Sequence, residues 1–138
     1  MAATLRLEIV TPESRAYSDD VEMVVLPAIE GEMGVYPQHV PLITAITPGE
    51  LVITKGGTIS HLAVGEGFVE ITGEKVSVLV DMALTAESID EKAAEEAVKR
   101  AEARLREEHL GDEESALVQA SIAKSLAQLH VKRRRRGI

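Results

Sequence analysis

Residues 30–46 are Glu-Gly-Glu-Met-Gly-Val-Tyr-Pro-Gln-His-Val-Pro-Leu-Ile-Thr-Ala-Ile, and Pro48-Gly49 follow one residue later. Gly31 and Gly34 permit backbone angles that other residues avoid. Pro37, Pro41 and Pro48 fix φ and remove hydrogen-bond donors from any sheet. The stretch therefore predicts a rigid protruding turn and not a catalytic centre.

The rest of the chain divides into two halves around this stretch. All five prolines and eight of the ten glycines precede residue 87, which predicts a turn-rich part over residues 1–86 and a helical part over residues 87–138. Residues 1–86 carry four Lys/Arg against twelve Asp/Glu, whereas residues 87–138 carry eleven of each, so the net charge of −8 belongs to the first part. We expect the two parts to meet different partners.

Short alternating or β-branched runs recur through the first part at the spacing of an antiparallel sandwich or barrel. Examples are Leu5-Leu7-Ile9, Val21-Met23-Val25 and Val76-Val78-Val80. Gly65-Glu66-Gly67 lacks the third glycine and the following helix of a dinucleotide fingerprint, so it predicts a turn or bulge. The first part is predicted to be a small all-β domain.

Two Ala-rich helices are predicted for the second part. Ser88-Ile89-Asp90-Glu91 has the spacing of a capping box, with Ser88 as the cap, and Gly111 is expected to end the first helix before Asp112 caps the second. Small residues follow at helical spacing on each helix: Ala93, Ala94, Ala97, Val98, Ala101 and Leu105, then Ala116, Ala120, Ala123, Ala127 and Val131. Together the halves predict an α+β protein, an N-terminal antiparallel β-domain, either a sandwich or a barrel, followed by a C-terminal antiparallel αα-hairpin.

The hairpin is expected to be only marginally stable, because packing through alanine buries little area. It can therefore dock or detach. Ile122, Leu126 and Leu129 form a side wider than a two-helix contact needs. That side is either a second docking surface or the face that lies on the sandwich.

Several classes of function find no support in the sequence. There is no cysteine, the four histidines have no metal-site spacing, and neither a P-loop nor a nucleophile elbow occurs, so we expect no metal, no cofactor and no catalysis. Glu30 and Glu32 lack a basic or aromatic neighbour that would tune a carboxylate pair. Few aromatic residues and the acidic balance argue against nucleic acid, and no apolar run reaches the roughly 18 residues of a bilayer span. A soluble protein without a secretory leader is expected.

The chain resembles the bacterial-type epsilon subunit of the F-type rotary ATP synthase over essentially its whole length. The resemblance is carried by Val10-Thr11-Pro12, the stretch from Glu30 to Gly49, Gly65 to Val69, Ile89-Asp90 and residues 123–129, Ala-Lys-Ser-Leu-Ala-Gln-Leu. It implies a ten-stranded β-sandwich followed by the helical hairpin. It further implies a noncatalytic central-stalk subunit that couples the gamma subunit to the c-ring, peripheral on the cytoplasmic face of the bacterial inner membrane.

The same resemblance implies which residues meet the partners. Glu30, Gly31 and Glu32 form the ring-facing element, where an acidic pair suits basic ring loops. His39 and Thr44 match positions that lie against gamma. For His39 a second interpretation stands beside this one, a loop histidine that only fixes the turn.

In this family the hairpin switches between a compact state on the sandwich and an extended state that blocks ATP hydrolysis in the catalytic head. Residues 115–138 carry Lys124, Lys132 and Arg133, Arg134, Arg135 and Arg136 without any Asp or Glu. Our hypothesis is that Lys132 to Arg136 transiently meet an acidic segment of a catalytic beta subunit. A solvated tail, or contact with anionic lipid or nucleic acid by an autonomous binding module, is the alternative.

Some family members also bind a regulatory ATP between the helices through an Ile/Leu-Asp-x-x-Arg-Ala motif. The chain keeps Ile89, Asp90 and Ala94, and Arg100 and Lys124 are the remaining candidate nucleotide contacts, but Ala93 replaces the motif arginine and Leu84 stands at the expected upstream acid. Because each lost arginine removes charge-assisted bonds to phosphate, we predict weak or absent ATP binding.

Overall fold

A computed structural model describes residues 3–135 of the protein, with the side chain of Arg135 excepted. Ten strands precede two helices, as the α+β prediction requires. The strands are β1 (Leu5–Val10), β2 (Arg15–Val21), β3 (Met23–Ala28), β4 (Gly31–Val35), β5 (Leu42–Ile46), β6 (Gly49–Lys55), β7 (Thr58–Val64), β8 (Gly67–Ile71), β9 (Lys75–Val80) and β10 (Ala83–Thr85). A 3₁₀ helix (Ala86–Ser88) leads into α1 (Glu91–Glu107) and α2 (Asp112–Arg135).

The strands form a wrapped sheet in the order β10-β7-β6-β3-β5-β8-β9-β1-β2, and β4 pairs with β3. All pairings are antiparallel except that of β1 with β9, which is parallel. Alternate residues point inward, so Leu5, Leu7 and Ile9 of β1 join the core with Val76, Val78 and Val80 of β9. This period of two, seen in the sequence, produces the sandwich.

The stretch 31–46 is only partly the turn that its glycines and prolines predict. Residues 31–35 and 42–46 are strands, and the irregular part is confined to residues 36–41, which hold Pro37 and Pro41. Gly31 has a φ of +123° beside the β3–β4 turn, but Gly34 is not among the residues with positive φ. The prediction for Gly34 was wrong because it lies opposite Val25 in the β3–β4 ladder.

The first helix begins later than the capping box predicts. Asp90 is its N-cap and accepts a hydrogen bond from the Ala93 N–H at 3.0 Å, whereas Ser88 ends the preceding 3₁₀ helix. Ile89 is buried beneath α2, and this burial holds the backbone extended until Asp90.

Gly111 does not end the first helix, which stops at Glu107 where two consecutive glutamates meet the negative end of the helix dipole. Instead, the Gly111 carbonyl accepts the Ser115 N–H at 2.9 Å and opens α2.

The helices pack against each other, and α2 also lies on β6 and β7. Ala127 and Val131 of α2 join Ala63, Ala86 and Ile89 in a second apolar cluster, which we call the docking cluster. Leu126 remains 50% exposed, and the side chains that α2 contributes to this cluster are the small Ala127 and Val131. Within the described residues, neither helix is long and apolar enough to cross a bilayer.

Candidate partner-binding surfaces

The acidic tip of the β3–β4 hairpin carries the predicted ring-facing residues. Glu30 and Glu32 flank Gly31, and all three are exposed. Ile29 beside them is also largely exposed. Between residues 3 and 135, no ion pair involves either carboxylate, so the tip presents uncompensated negative charge to solvent.

The two predicted gamma contacts lie in different settings. His39 is half-buried in the loop 36–41, and its Nδ1 lies 2.6 Å from the Val40 carbonyl. Thr44 is half-buried on β5 and is paired with the buried Val69, so it belongs to the core-facing row of the sheet. Its neighbours on β5, Ile43 and Ala45, face the other way.

An exposed apolar surface that the sequence analysis missed lies on the outside of the sheet beside Thr44. Cross-strand pairing places Ala45, Phe68, Leu79 and Val10 in one row across β5, β8, β9 and β1. Phe68 is 62% exposed and Leu79 is 52% exposed. We call Val10, Ile43, Phe68 and Leu79 the outer apolar face. The sequence contained a signal for this face. Phe68 alternates with the core residues Val69 and Ile71, so its side chain had to point outward.

The predicted nucleotide residues are not brought together. Ile89 lies in the docking cluster, Asp90 caps α1 and Ala94 is buried on α1. Arg100 lines a cavity at the other end of the hairpin, beside Leu117 and Val118. The Lys124 Nζ lies 3.1 Å from Asp81 Oδ2, and Asp81 lies between β9 and β10.

The basic end of α2 is engaged with earlier parts of the chain. Arg133 donates to Glu91 at 3.0 Å and to Glu95 at 2.8 Å, and Arg134 donates to Glu50 of β6 at 2.7 Å. These two carboxylates of α1, Glu91 first, hold the pKa of the Arg133 guanidinium above its ordinary value. The predicted contacts of Arg136 and of the Arg135 side chain lie outside the described residues.

Lys132 completes this set, because its Nζ donates to the Ala86 carbonyl at 2.9 Å. We call Lys132, Arg133 and Arg134, with their partners Ala86, Glu91, Glu95 and Glu50, the C-terminal clamp. It ties the last turns of α2 to the 3₁₀ helix, to α1 and to β6 at once.

Glu50 also faces two histidines, with His61 Nδ1 at 3.1 Å and His130 Nε2 at 3.9 Å. The Arg134 guanidinium already supplies the cation there, since it contacts both Glu50 and His130. In the part of the chain that is described, no group of three His, Asp or Glu side chains has the arrangement of a metal site.

Comparison with known proteins places this architecture in a family. The family model for the β-sandwich domain of the ATP synthase delta/epsilon chain matches residues 4–86, and the model for its long α-helix domain matches residues 87–133. The ATP synthase epsilon chain of Dehalococcoides mccartyi is 42% identical over 134 residues, which cover 97% of this chain and 96% of the relative. Epsilon chain 2 of Syntrophotalea carbinolica is 40% identical and covers 95% of each chain.

Solved structures share the fold. A chain in the cryo-EM structure of the Euglena gracilis mitochondrial ATP synthase, described as OSCP/F1/c-ring, matches with a TM-score of 0.78 at 20% identity, over 94% of this chain and 81% of that one. A chain of the Tetrahymena thermophila mitochondrial ATP synthase central stalk and c-ring matches with a TM-score of 0.58 at 11% identity, over 93% and 98% of the two chains. With both family models covering the sandwich and the helices, the chain belongs to the ATP synthase delta/epsilon chain family, and its curated relatives are epsilon chains.

Proposed function

We propose that the chain is a noncatalytic subunit of the central stalk of an F-type ATP synthase, that it couples the gamma subunit to the c-ring, and that its helices restrain ATP hydrolysis. The outer apolar face carries this proposal. Family membership supports it, and so do the acidic tip and the basic end of α2. The complex would hold the chain at the cytoplasmic face of the bacterial inner membrane as a peripheral component.

The outer apolar face is the surface that fits gamma. It lies on β5, β8, β9 and β1, whereas the helices pack on β6 and β7 and leave it uncovered in the described residues. Exposed aromatic and aliphatic side chains grouped on one sheet face are typical of a protein-binding surface. Tyr36 and Val40 in the loop 36–41 are exposed as well and extend the apolar character toward His39.

The acidic tip of the β3–β4 hairpin suits a basic partner. Glu30 in the turn and Glu32 at the start of β4 are exposed, and neither has an ion-pair partner among residues 3–135. The negative charge of such a tip speeds its encounter with cationic loops and sets the orientation of the bound partner. It contributes less to the affinity of the complex. Basic loops of the c-ring are the partner that we propose for it.

The helices supply the restraint on hydrolysis. Lys132, Arg133 and Arg134 form a cationic end on a helix that docks mainly through small residues. We propose that in the undocked state this end meets an acidic segment of a catalytic beta subunit. Several charged side chains of the hairpin serve in a cap or in ion pairs between elements, among them Asp90, Lys124 and Arg133, which supports a mechanical and not a chemical role.

Binding to gamma tests the proposal. In the full chain, Leu79→Gln should weaken binding of the gamma subunit about tenfold, because burial of one leucine side chain contributes about 1.5–3 kcal/mol. Ile59→Gln is the matched control, since Ile59 is 59% exposed on β7 and lies outside the outer apolar face. Titration of each variant with gamma, followed by light scattering or interferometry, measures the difference.

If both variants weaken gamma binding equally, or if neither weakens it, the assignment of the outer apolar face to gamma is contradicted. An unmodified chain that binds anionic vesicles or DNA in a salt-sensitive way and ignores gamma would favour an autonomous binding module instead. Inhibition of ATP hydrolysis by an alpha-beta-gamma complex, measured with the same chain, tests the restraint separately.

A further inference from the structure

The C-terminal clamp uses the same cations that the proposed inhibitory contact requires. Arg133 reaches back to α1 and Arg134 reaches across to β6. The N–H donors that a guanidinium gives to carboxylates of its own chain are not available to a carboxylate of a partner. In the docked hairpin these arginines are therefore already neutralised within the chain.

Two acids of the clamp, Glu50 and Glu91, are more buried than its arginines. The Glu50 side chain is 13% exposed and that of Glu91 is 20% exposed, whereas Arg133 and Arg134 are 49% and 45% exposed. A mostly buried carboxylate needs a cation or hydrogen-bond donors nearby. The arginines, by contrast, retain much of their hydration and can leave without exposing the core.

The groove that receives Arg133 favours a cation over a phosphate. It is lined by Asp90, Glu91 and Glu95, with Lys92 and Ile89 at its sides. Three carboxylates near one arginine repel a nucleotide's phosphates. The arginine of the chain itself thus joins the two helices at this point.

We propose that the clamp is an ion-pair latch that holds the hairpin on the sandwich without a nucleotide and that competes with an acidic partner surface for Arg133 and Arg134. The competition rests on the proposed inhibitory function, whereas the latch concerns the isolated chain. Docked helices keep the cations occupied; undocked helices release them. The carboxylates of Glu50, Glu91 and Glu95 determine the ratio of docked to undocked helices.

Two substitutions in the full chain distinguish the role of the acid in the latch from the role of its cation. Glu50→Gln removes the acid on β6 and leaves the cations in place, so the hairpin should undock more often and the concentration for half-inhibition of ATP hydrolysis should fall about threefold to tenfold. Arg134→Gln should also undock the hairpin but should not strengthen inhibition, because it removes a cation from the partner contact. Glu102→Gln, an exposed acid on the outer part of α1, is the control and should change neither quantity.

Docking is measured apart from inhibition. Because the chain has no cysteine, spin labels can be attached through Thr58→Cys on β7 and Gln119→Cys on α2 alone, and their distance distribution reports undocking. A distribution unchanged by Glu50→Gln and by high salt would overturn the latch. If the distribution broadens with Glu50→Gln while no form of the chain inhibits hydrolysis, the latch stands, and the competition fails together with the inhibitory function on which it rests.

Discussion

At the scale of single residues, local sequence leaves a choice that distant contacts decide. Ser88 and Asp90 can each cap a helix, and the capping-box spacing favoured Ser88. The Ser88 hydroxyl instead lies 3.1 Å from that of Thr85, and the Asp90 side chain takes the capping role. The deciding contact is the burial of Ile89 against residues far along the chain, which no local pattern records.

The two caps can be told apart by mutation. Asp90→Ala should lower the free energy of unfolding by about 1 kcal/mol, because it leaves the Ala93 N–H without its acceptor. Ser88→Ala should cost clearly less, since it caps no α-helix. Urea denaturation followed by circular dichroism measures both, and a larger loss for Ser88→Ala would refute the assignment.

Gly65 and Gly67 show what a sequence can and cannot reveal. Their spacing predicts a turn, and a turn connects β7 to β8, but neither has a positive φ. Close approach is what requires them: a Cβ at Gly65 would overlap Asp81 Oδ1, and one at Gly67 would overlap the Leu79 backbone. Leu79 lies on β9 and Asp81 just after that strand, both later in the chain, so only the three-dimensional arrangement supplies this reason.

At the scale of elements, the strand alternation and the proline and glycine distribution were enough to predict an antiparallel sandwich or barrel and the helical hairpin. They could not give the pairing of β1 with β9, because parallel pairing between distant strands leaves no local signal. The Glu8 carboxylate of β1 lies 2.7 Å from Lys75 Nζ of β9 and reinforces this junction. The hydrogen bond from Lys75 lowers the pKa of Glu8 against the opposing effect of burial.

The Glu8–Lys75 contact predicts a pH dependence of stability. A carboxyl whose folded pKa is lowered stabilises the fold above its unfolded pKa of about 4.3, and this contribution disappears as pH falls through the folded pKa. Lys75→Gln should therefore lower Tm at pH 7, and its difference from the unmodified chain should shrink as the pH falls through the folded pKa of Glu8. Lys99→Gln, on the exposed side of α1, should show no such pH-dependent difference.

At the scale of the whole molecule, the chain joins a sandwich that carries all the net negative charge to a hairpin with a cationic end. The sequence showed this segregation, but it could not show that Arg134 meets Glu50 of the sandwich. Nor could it show that Lys124 meets Asp81. Internal pairing thus occupies Lys124, which the sequence offered for a nucleotide, and Arg134, which it offered for a catalytic beta subunit.

Nucleotide binding by the full chain should accordingly be weak. At 1 mM Mg-ATP, a dissociation constant of 10 µM would add about 2.7 kcal/mol to the free energy of unfolding, and we expect a far smaller change. Ala93→Arg restores the motif arginine at an exposed position and should increase the change. Thermal denaturation with and without Mg-ATP measures both, and a low-micromolar affinity of the unmodified chain would contradict the prediction.

The parallel pairing of β1 with β9 also bears on how the chain is made. Arg6 pairs with Lys75 and Val10 with Leu79. During synthesis, β1 therefore cannot pair with β9 until the ribosome has released residues up to about 80. At about 5–20 residues per second, this delay lasts several seconds. Until then the nascent chain has only the β1–β2 hairpin and the central strands, and the open edge of β1 is exposed to other nascent chains. Pairing of distant strands also slows folding itself, so translation speed between residues 10 and 80 should influence the yield of native protein more than the speed over the helices.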